Sequence, residues 1–326
     1  MIGVLSDTLD PFYNLALEEY VFRKIEDKDV FLLWRNRPSV VVGCYQNISQ
    51  EVNLLQLKQR GVPVVRRMSG GGTVYHDLGN INYSLMRDRE KCLDYGRFLS
   101  VILSALQSLG IQAEQDKVSD LCIRKKKISG SAQKVSGNRV LHHGTLLYDA
   151  ELSVLSEICT AHKSKDISSK ASVSAISEVT NIKKEWEKTM EKPPSTEEFM
   201  ELLFRQLLGK DGESFVLGEE EDKEHKEIEE LAEEKYRSWE WTFGKSPAFH
   251  FHRETQYKDY PLIIDYHVQK GMIENFAMHS PLLDEKKTRD LFQGKRYKLS
   301  LFEENVEKVL GQHSTREKEA LLSLLL

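Results

Sequence analysis

The most unusual stretch of this sequence is RRMSGGGTVYHD, residues 66–77. Its three consecutive glycines, residues 70–72, give up conformational entropy, and in return they let the backbone approach a ligand closely. Backbone N–H groups exposed in such a loop bind anionic oxygens, and the two upstream arginines add forked donors for phosphate or carboxylate. The alternative interpretation is a tight turn between strands, next to two basic residues that lie on the surface and bind no ligand. The nearby His76 and Asp77 favour a ligand-binding loop.

This loop differs from the common nucleotide-binding loops. No GxxxxGK[ST] sequence occurs in the chain, which argues against a P-loop NTPase. No GxGxxG opens a helix either, so the dinucleotide-binding fingerprint is missing. A phosphate-bearing ligand at this loop therefore requires a fold of another kind.

A second cluster, KKKISGSAQ, covers residues 125–133. Small residues after a lysine leave room for a ligand beside the ammonium group, a compact charge that can hold phosphate and carbonyl oxygens. Asp120 precedes the cluster and could organise a lysine or a Mg²⁺ ion. Read alone, the cluster is more typical of a solvated basic hairpin tip.

The third cluster, HHGTLL, begins at His142. Adjacent residues of a strand point to opposite faces, so His142 and His143 make a poor pair of metal ligands. The sequence contains no HExxH and no zinc-type Cys/His spacing. We therefore do not expect a catalytic metal held by protein ligands alone.

Composition excludes several classes of protein. The 326 residues carry a formal net charge of −5, with 40% hydrophobic residues, which excludes a wholly disordered chain and a strongly basic nucleic-acid binder. The acidic excess lies in residues 219–235, where we expect a solvated helix face. Cys44, Cys92, Cys122 and Cys159 form no CxxC pair, and no secretory or membrane-spanning pattern is visible. We expect a cytoplasmic protein that binds neither membranes nor nucleic acid.

Helix and strand signals alternate through the first half of the chain. Asp10-Pro11 predicts a helix cap, residues 30–34 and 40–42 predict strands, and residues 98–109 predict an amphipathic helix. An α/β or α+β architecture is favoured. The loop signal at residues 244–247 predicts a boundary before a small α+β domain. In that domain, residues 262–268 and 272–279 should form a hairpin, and two short helical patterns, including residues 303–310, follow.

These motifs together resemble the lipoate–protein ligase A family. The resemblance rests on the ordered set RRxSGGGTVYHDxGN, KISGSAQ and HHGTL, which is highly specific as a set. NLALEE at residues 14–19 looks like the family's opening helix, and WEWTFGKSP at residues 239–247 looks like its interdomain junction. The resemblance covers nearly the whole chain.

The resemblance implies a fold and a two-step reaction. It implies a large α+β catalytic domain with a mixed sheet, like class II synthetases and biotin ligases, over residues 1–245, and a small α+β accessory domain over residues 246–326. Lipoate and ATP with Mg²⁺ would form lipoyl-AMP and pyrophosphate. A lysine of an acceptor protein would then take the lipoyl group. Acceptors of the family are lipoyl domains of 2-oxoacid dehydrogenase E2 subunits and the glycine-cleavage H protein.

The resemblance also assigns residues. Lys127 matches the family's central lysine, which holds carboxyl and phosphoryl oxygens together, and it is the expected catalytic residue. Asp120 matches the acidic position near Mg²⁺ and phosphate. Positions that match adenylate-binding residues are Arg67, Gly72, Thr73, Val74, Tyr75, Asp120 and Lys127. Positions that match lipoate-binding residues are Arg67, Ser69, Gly70, Gly71, Lys127, Ala132 and His143.

The chain departs from the family pattern at several positions. Two arginines usual in a later segment are replaced by Ile176 and Glu178, while Cys44 and Ser119 stand where arginine and asparagine are common. A lipoyltransferase that uses preformed lipoyl-AMP is therefore one alternative. An octanoyl- or lipoyl-amidotransferase with a cysteine acyl carrier is a second, although Cys122 looks like a strand residue. A non-catalytic module that binds lipoate or a nucleotide is a third.

Overall fold

The computed structural model describes residues 1–26, 28–89, 94–159, 165–175, 177–210, 212–217 and 223–326. Cys92, Ile176 and the first part of the acidic stretch, residues 219–222, lie outside them. The strands are β1 Ile2–Ser6, β2 Val30–Arg35, β3 Ser39–Val42, β4 Val64–Arg66, β5 Val74–His76, β6 Asn80–Asp88, β7 Glu114–Gln115, β8 Asp120–Ile123, β9 Lys126–Ser136, β10 Arg139–Leu147, β11 Ile167–Ser169, β12 Glu213–Leu217, β13 Phe249–Tyr257, β14 Tyr260–Gln269 and β15 Met272–His279.

The helices alternate with these strands in the first part of the chain and cluster at its end. They are α1 Pro11–Lys24, α2 Ile48–Glu51, α3 Leu54–Gln59, α4 Tyr95–Ser108, α5 Leu152–Cys159, α6 Ile182–Trp186, α7 Thr196–Leu208, α8 Lys223–Leu231, α9 Glu285–Phe292, α10 Leu299–Leu310 and α11 Thr315–Leu325. Two π-helical turns, Ala232–Tyr236 and Glu240–Gly244, follow α8. No helix among the described residues is long and apolar enough to cross a membrane.

The strands form three sheets. The largest is mixed and has the order β12-β1-β2-β6-β10-β9-β8-β7, with β1 parallel to both β12 and β2 and the other neighbours antiparallel. A three-stranded sheet has the order β4-β3-β5, and a four-stranded antiparallel sheet has the order β11-β13-β14-β15. The predicted strands β2 and β3 are confirmed, but they belong to different sheets.

Alternation along β2 shows how the large sheet is covered. Phe31 and Leu33 pack into a hydrophobic cluster with α4 and α7 on one face, whereas Leu32 and Trp34 pack with α1 on the other. Val41 of the small sheet joins the second cluster. The second face of the large sheet is therefore covered by α1 and by the three-stranded sheet together.

The amino-terminal helix forms where the sequence predicts it. Proline occupies its first turn, and the Asp10 side chain accepts a hydrogen bond from the Phe12 backbone N–H at 3.2 Å. On its apolar face, Ala16 and Leu17 are completely buried. The predicted amphipathic helix over residues 98–109 corresponds to α4, which begins three residues earlier.

The carboxyl-terminal residues have a hydrophobic cluster of their own. The predicted hairpin is β14–β15, and the helical pattern over residues 303–310 lies within α10. One strand of this sheet comes from earlier in the chain, because β11 pairs with β13. The Ser49 hydroxyl also donates to the Tyr297 hydroxyl at 3.0 Å. The sheet of the expected small domain therefore includes residues from before position 245.

Candidate functional site

A cavity of about 320 Å³ lies between the large sheet and the three-stranded sheet. Its wall combines apolar side chains of α1, β2, β3 and β5 with polar groups of β6, β8, β9 and β10. The predicted site residues that line it are Arg67, Gly71, Gly72, Thr73, Val74, Asp120, Lys127, Ala132 and His143. Three segments that are far apart in the sequence therefore meet at one cavity. They are the glycine loop (residues 70–72), the lysine hairpin (residues 125–133) and the His-His-Gly strand β10.

Arg67 organises the glycine loop from within. Its guanidinium donates to the carbonyl oxygens of Gly70 at 2.6 Å and Gly72 at 2.7 Å, and to the Ser69 hydroxyl at 3.0 Å. Gly71 has φ of +86°, and a Cβ there would lie 3.0 Å from the guanidinium. Burial lowers the pKa of Arg67 to about 10. The arginine is still a cation at neutral pH, and it holds the loop in shape.

Arg66 does not take part in the cavity, although the sequence suggested two arginines for an anionic ligand. Consecutive residues of an extended chain face opposite sides, and Arg66 is fully buried on the other side. It donates to the carbonyl oxygens of Gly43, Gln46 and Thr242 at 2.8–2.9 Å and to the Ser246 hydroxyl at 2.7 Å. Its role is to join the glycine-loop region to the segment that precedes β13.

The hairpin of β8 and β9 separates its three lysines, residues 125–127. Arg124 and Lys125 have positive φ and form the tip, where Lys125 is exposed. Lys126 pairs with Glu178 at 2.6 Å. Lys127 turns into the cavity, where its Nζ lies 2.9 Å from Asp120 Oδ1. Both interpretations of the cluster therefore apply: Lys125 lies at an exposed hairpin tip, and Lys127 lines the cavity.

Gly130 makes room for that ion pair. A Cβ at this position would lie 2.9 Å from both Cε and Nζ of Lys127. The Ser119 hydroxyl also donates to Asp120 Oδ1 at 3.1 Å. A mostly buried carboxylate therefore fixes the position of the lysine, whose side chain is 26% exposed toward the cavity.

His143 belongs to a buried chain of hydrogen bonds on the α1 side of the large sheet. Its Nδ1 lies 2.7 Å from Glu18 Oε1, and its Nε2 lies 2.6 Å from the Ser69 hydroxyl. Glu18 Oε1 also accepts from the Ser84 hydroxyl. This arrangement fixes the orientation of the imidazole and ties it to the glycine loop.

His142 lies on the opposite face of the large sheet, as expected for the residue next to His143 in a strand. Its ring stacks on Phe98 at a centroid distance of 5.0 Å, and its Nδ1 lies 3.1 Å from Gln133 Nε2. Burial lowers the pKa of His142 to about 3, and burial beside Arg67 and His143 lowers that of His76, a cavity residue, to about 3. Both rings are therefore neutral at physiological pH.

Three residues expected at the site lie outside the cavity wall. The side chain of Tyr75 points away from Val74, because the two alternate on β5, and it packs in a hydrophobic cluster with Val40 and Val42. Ser69 is buried behind the glycine loop. Gly70 presents its carbonyl to Arg67.

The sequence analysis missed the residues that close the cavity from the segment after β11. The Ser174 hydroxyl accepts from the Thr73 backbone N–H at 2.8 Å and from Gln46 Nε2 at 3.0 Å, and donates to the buried Glu51 carboxylate. The family resemblance singled out Ile176 and Glu178 of this segment, but local sequence does not reveal the Ser174 contacts, because they span about 100 residues or more. Further along, the backbone N–H of Lys127 donates to the Glu178 carbonyl at 2.9 Å.

Other missed residues supply the apolar wall. Leu15 of α1, Trp34 of β2 and Val41 of β3 line the cavity beside Val74. Leu15 lies in the NLALEE segment, which carried a usable signal, whereas Trp34 and Val41 look like ordinary core residues in the sequence.

Cys122 is poorly placed for acyl transfer. It lies within β8, is 2% exposed, and does not line the cavity. Burial and nearby carboxylates raise the pKa of its thiol, which disfavours the nucleophilic thiolate.

The sequence of this chain is similar to those of known lipoate–protein ligases. The family model of the lipoyl protein ligase A/B catalytic domain matches residues 10–208. Lipoate–protein ligase 1 of Staphylococcus aureus is 35% identical over 83% of this chain and 81% of its own length. The lipoate–protein ligase LplJ of Bacillus subtilis is 32% identical over 97% of both chains.

The structural comparison agrees as well. A solved lipoate–protein ligase A bound with ATP has a TM-score of 0.58 and 26% identity, over 74% of this chain and 98% of its own. The expected α+β fold of the class II synthetase type is confirmed. The cavity, its three motifs and these relatives all indicate that the chain belongs to the lipoate–protein ligase A family.

Proposed function

We propose that this chain is an AMP-forming lipoate–protein ligase that activates lipoate with ATP and transfers the lipoyl group to an acceptor lysine. The observation that carries the proposal is the Lys127–Asp120 pair, 2.9 Å apart at a cavity whose wall also contains the glycine loop. A relative that binds ATP supports the nucleotide part of the proposal.

Adenylation brings two anions together. The lipoate carboxylate attacks the α-phosphorus of ATP, a C–O–P linkage forms, and pyrophosphate leaves with the electrons of the broken P–O bond. Lys127 offsets the repulsion between carboxylate and phosphate, and it needs no change of protonation to do so. The backbone N–H group of Gly72, whose carbonyl Arg67 holds, is our proposed phosphate donor.

The site fits a magnesium ion held partly by the substrate. Asp120 is the one carboxylate among the described residues of the cavity wall, and both of its side-chain contacts fall on Oδ1. Mg²⁺ typically binds one or two carboxylates together with phosphate oxygens and water. Asp120 would hold the ion, which would neutralise phosphate charge.

The apolar part of the wall suits the lipoyl chain. Leu15, Trp34, Val41 and Val74 offer a hydrophobic surface to a dithiolane ring and its methylene chain. His143, held at its two ring nitrogens by Glu18 and Ser69, would contact the lipoyl chain with its ring carbons. A volume of about 320 Å³ is at the lower end for a small-molecule site.

In the second step, the amine of the acceptor lysine attacks the carbonyl carbon of the mixed anhydride. The C–N bond forms, the acyl C–O bond breaks, and AMP leaves while the nitrogen loses a proton. We propose lipoyl domains of 2-oxoacid dehydrogenase E2 subunits and the glycine-cleavage H protein as acceptors. Residues 246–326 would act as a small accessory domain beside the catalytic residues 1–245.

The deciding experiment is intact mass spectrometry of an acceptor lipoyl domain after incubation with the enzyme, lipoate, ATP and Mg²⁺. A mass increase of one lipoyl group supports the ligase. Modification by preformed lipoyl-AMP but never by lipoate and ATP would leave only a lipoyltransferase, the alternative suggested by Glu178 in place of an arginine. No modification under either condition would leave a non-catalytic binding module.

A further inference from the structure

A cluster of histidines lies on the carboxyl-terminal sheet, away from the cavity. His250 and His252 are two residues apart on β13, so their side chains share one face. The register of β13 and β14 places Asp265 opposite His252, and His267 opposite His250. The four side chains therefore form a compact group on the outer face of this sheet.

The ligand atoms of three of these residues converge. His250 Nε2 lies 2.9 Å and His252 Nδ1 lies 2.8 Å from the same oxygen, Oδ2 of Asp265. All three atoms lie within 4.8 Å of one another. In a tetrahedral zinc site with metal–ligand distances of about 2.0–2.2 Å, donor atoms lie at comparable separations.

The surroundings resemble those of a metal centre as well. The other ring nitrogen of His252 lies 3.3 Å from Glu254 Oε1, and metal-bound histidines commonly donate their second N–H to a carboxylate. The His267 ring stacks on His250 at a centroid distance of 4.3 Å and an interplanar angle of 8°. These neighbours hold both imidazoles in place.

The strands beneath the cluster are anchored in a hydrophobic core. The residues that alternate with the histidines, Phe249, Phe251, Ile264 and Tyr266, are buried in the hydrophobic cluster of the carboxyl-terminal part. A site built on paired strands keeps its geometry better than one built on loops. The side chains of His250, His252 and Asp265 remain 33–47% exposed, so an ion can reach them from solvent.

We propose that His250, His252 and Asp265 bind a divalent transition-metal ion of the zinc class, with water in the remaining position. Imidazole nitrogen and carboxylate oxygen are donors that Zn²⁺ accepts readily. The ion would bridge β13 and β14. None of the three residues lines the cavity, so this site is independent of the proposed ligase reaction.

The test is titration of the untagged, full-length protein with Zn²⁺ in competition with a chromogenic chelator. We expect one equivalent to bind to the wild type, and the His252→Ala and Asp265→Asn variants to bind at least about tenfold more weakly. His279→Ala is the matched control, because His279 forms an exposed pair with Glu285 at 2.8 Å but belongs to no such cluster among the described residues. It should bind zinc like the wild type.

A thermal melt supplies the second readout. Zn²⁺ should raise the melting temperature of the wild type and of His279→Ala, and leave that of His252→Ala unchanged. Wild-type protein that binds no stoichiometric zinc would overturn the proposal. Equal loss of zinc binding in His279→Ala and His252→Ala would also overturn the proposal. Zinc would then bind to separate surface histidines and not to one defined site.

Discussion

Replacing Lys127 with methionine should slow adenylation by two to three orders of magnitude. The substitution keeps most of the chain length and removes the ammonium group, so packing against Gly130 is preserved. A unit charge about 4 Å from another contributes about 4 kcal/mol at an effective dielectric constant near 20. Asp120, 2.9 Å away, offsets part of this. About 2.7–4 kcal/mol of transition-state stabilisation is then lost, which corresponds to roughly 10²–10³ in rate.

The assay is release of pyrophosphate from lipoate, ATP and Mg²⁺ without acceptor, measured in a single turnover. Lys125→Asn is the matched control: it also removes a lysine charge from this hairpin, and asparagine tolerates the positive φ of 65° at the exposed tip. Melting curves must show that both variants are folded. An adenylation rate of folded Lys127→Met within about threefold of the wild type would refute the electrostatic role.

Three further predictions concern buried residues outside the cavity wall. Cys122→Ala should retain lipoyl transfer within about twofold, and complete loss would revive a cysteine acyl carrier. Arg66→Met should lower the free energy of unfolding by about 3 kcal/mol or more in urea titrations, because several buried carbonyl groups lose their donor; a loss below about 1 kcal/mol would contradict this. Because the pKa of His142 is low in the folded protein, only the unfolded chain protonates this histidine when the pH drops below about 6.5. The free energy of unfolding therefore decreases as the pH decreases. Between pH 7 and pH 5 the wild type should therefore lose about 2 kcal/mol more than His142→Phe; equal losses would contradict the assignment.

The sequence predicted the elements whose signal is local. The cap at Asp10 and the strand over residues 30–34 depend on neighbouring residues, and both are present in the structure. The glycine loop and Lys127 were found for the same reason, since each motif combines unusual residues within a dozen positions. Their convergence on one cavity followed from the family resemblance.

The parts that sequence did not predict depend on contacts between distant segments. Arg66 and Arg67 are identical neighbours in the sequence. The family resemblance singled out Arg67, but only the packing on each side of the chain shows that Arg66 joins the junction and that Arg67 holds the loop. Glu18 and Ser174 are ordinary residues by composition. Their roles come from partners such as His143 and Thr73, more than 100 residues away.

The hydrogen bonds of Arg66 also bear on how this chain can be divided. Thr242 and Ser246, two of its partners, follow most of the catalytic sequence. A fragment that stops at residue 241 would keep a buried guanidinium without those acceptors, and one that stops at 245 would still lack the Ser246 hydroxyl. A fragment of residues 246–326 would lack the edge strand β11, and the side of β13 that pairs with β11 would be exposed. Exposed unpaired strands promote aggregation. Dissecting the protein into separately expressed halves therefore requires a cut after Ser246 and a substitute for β11.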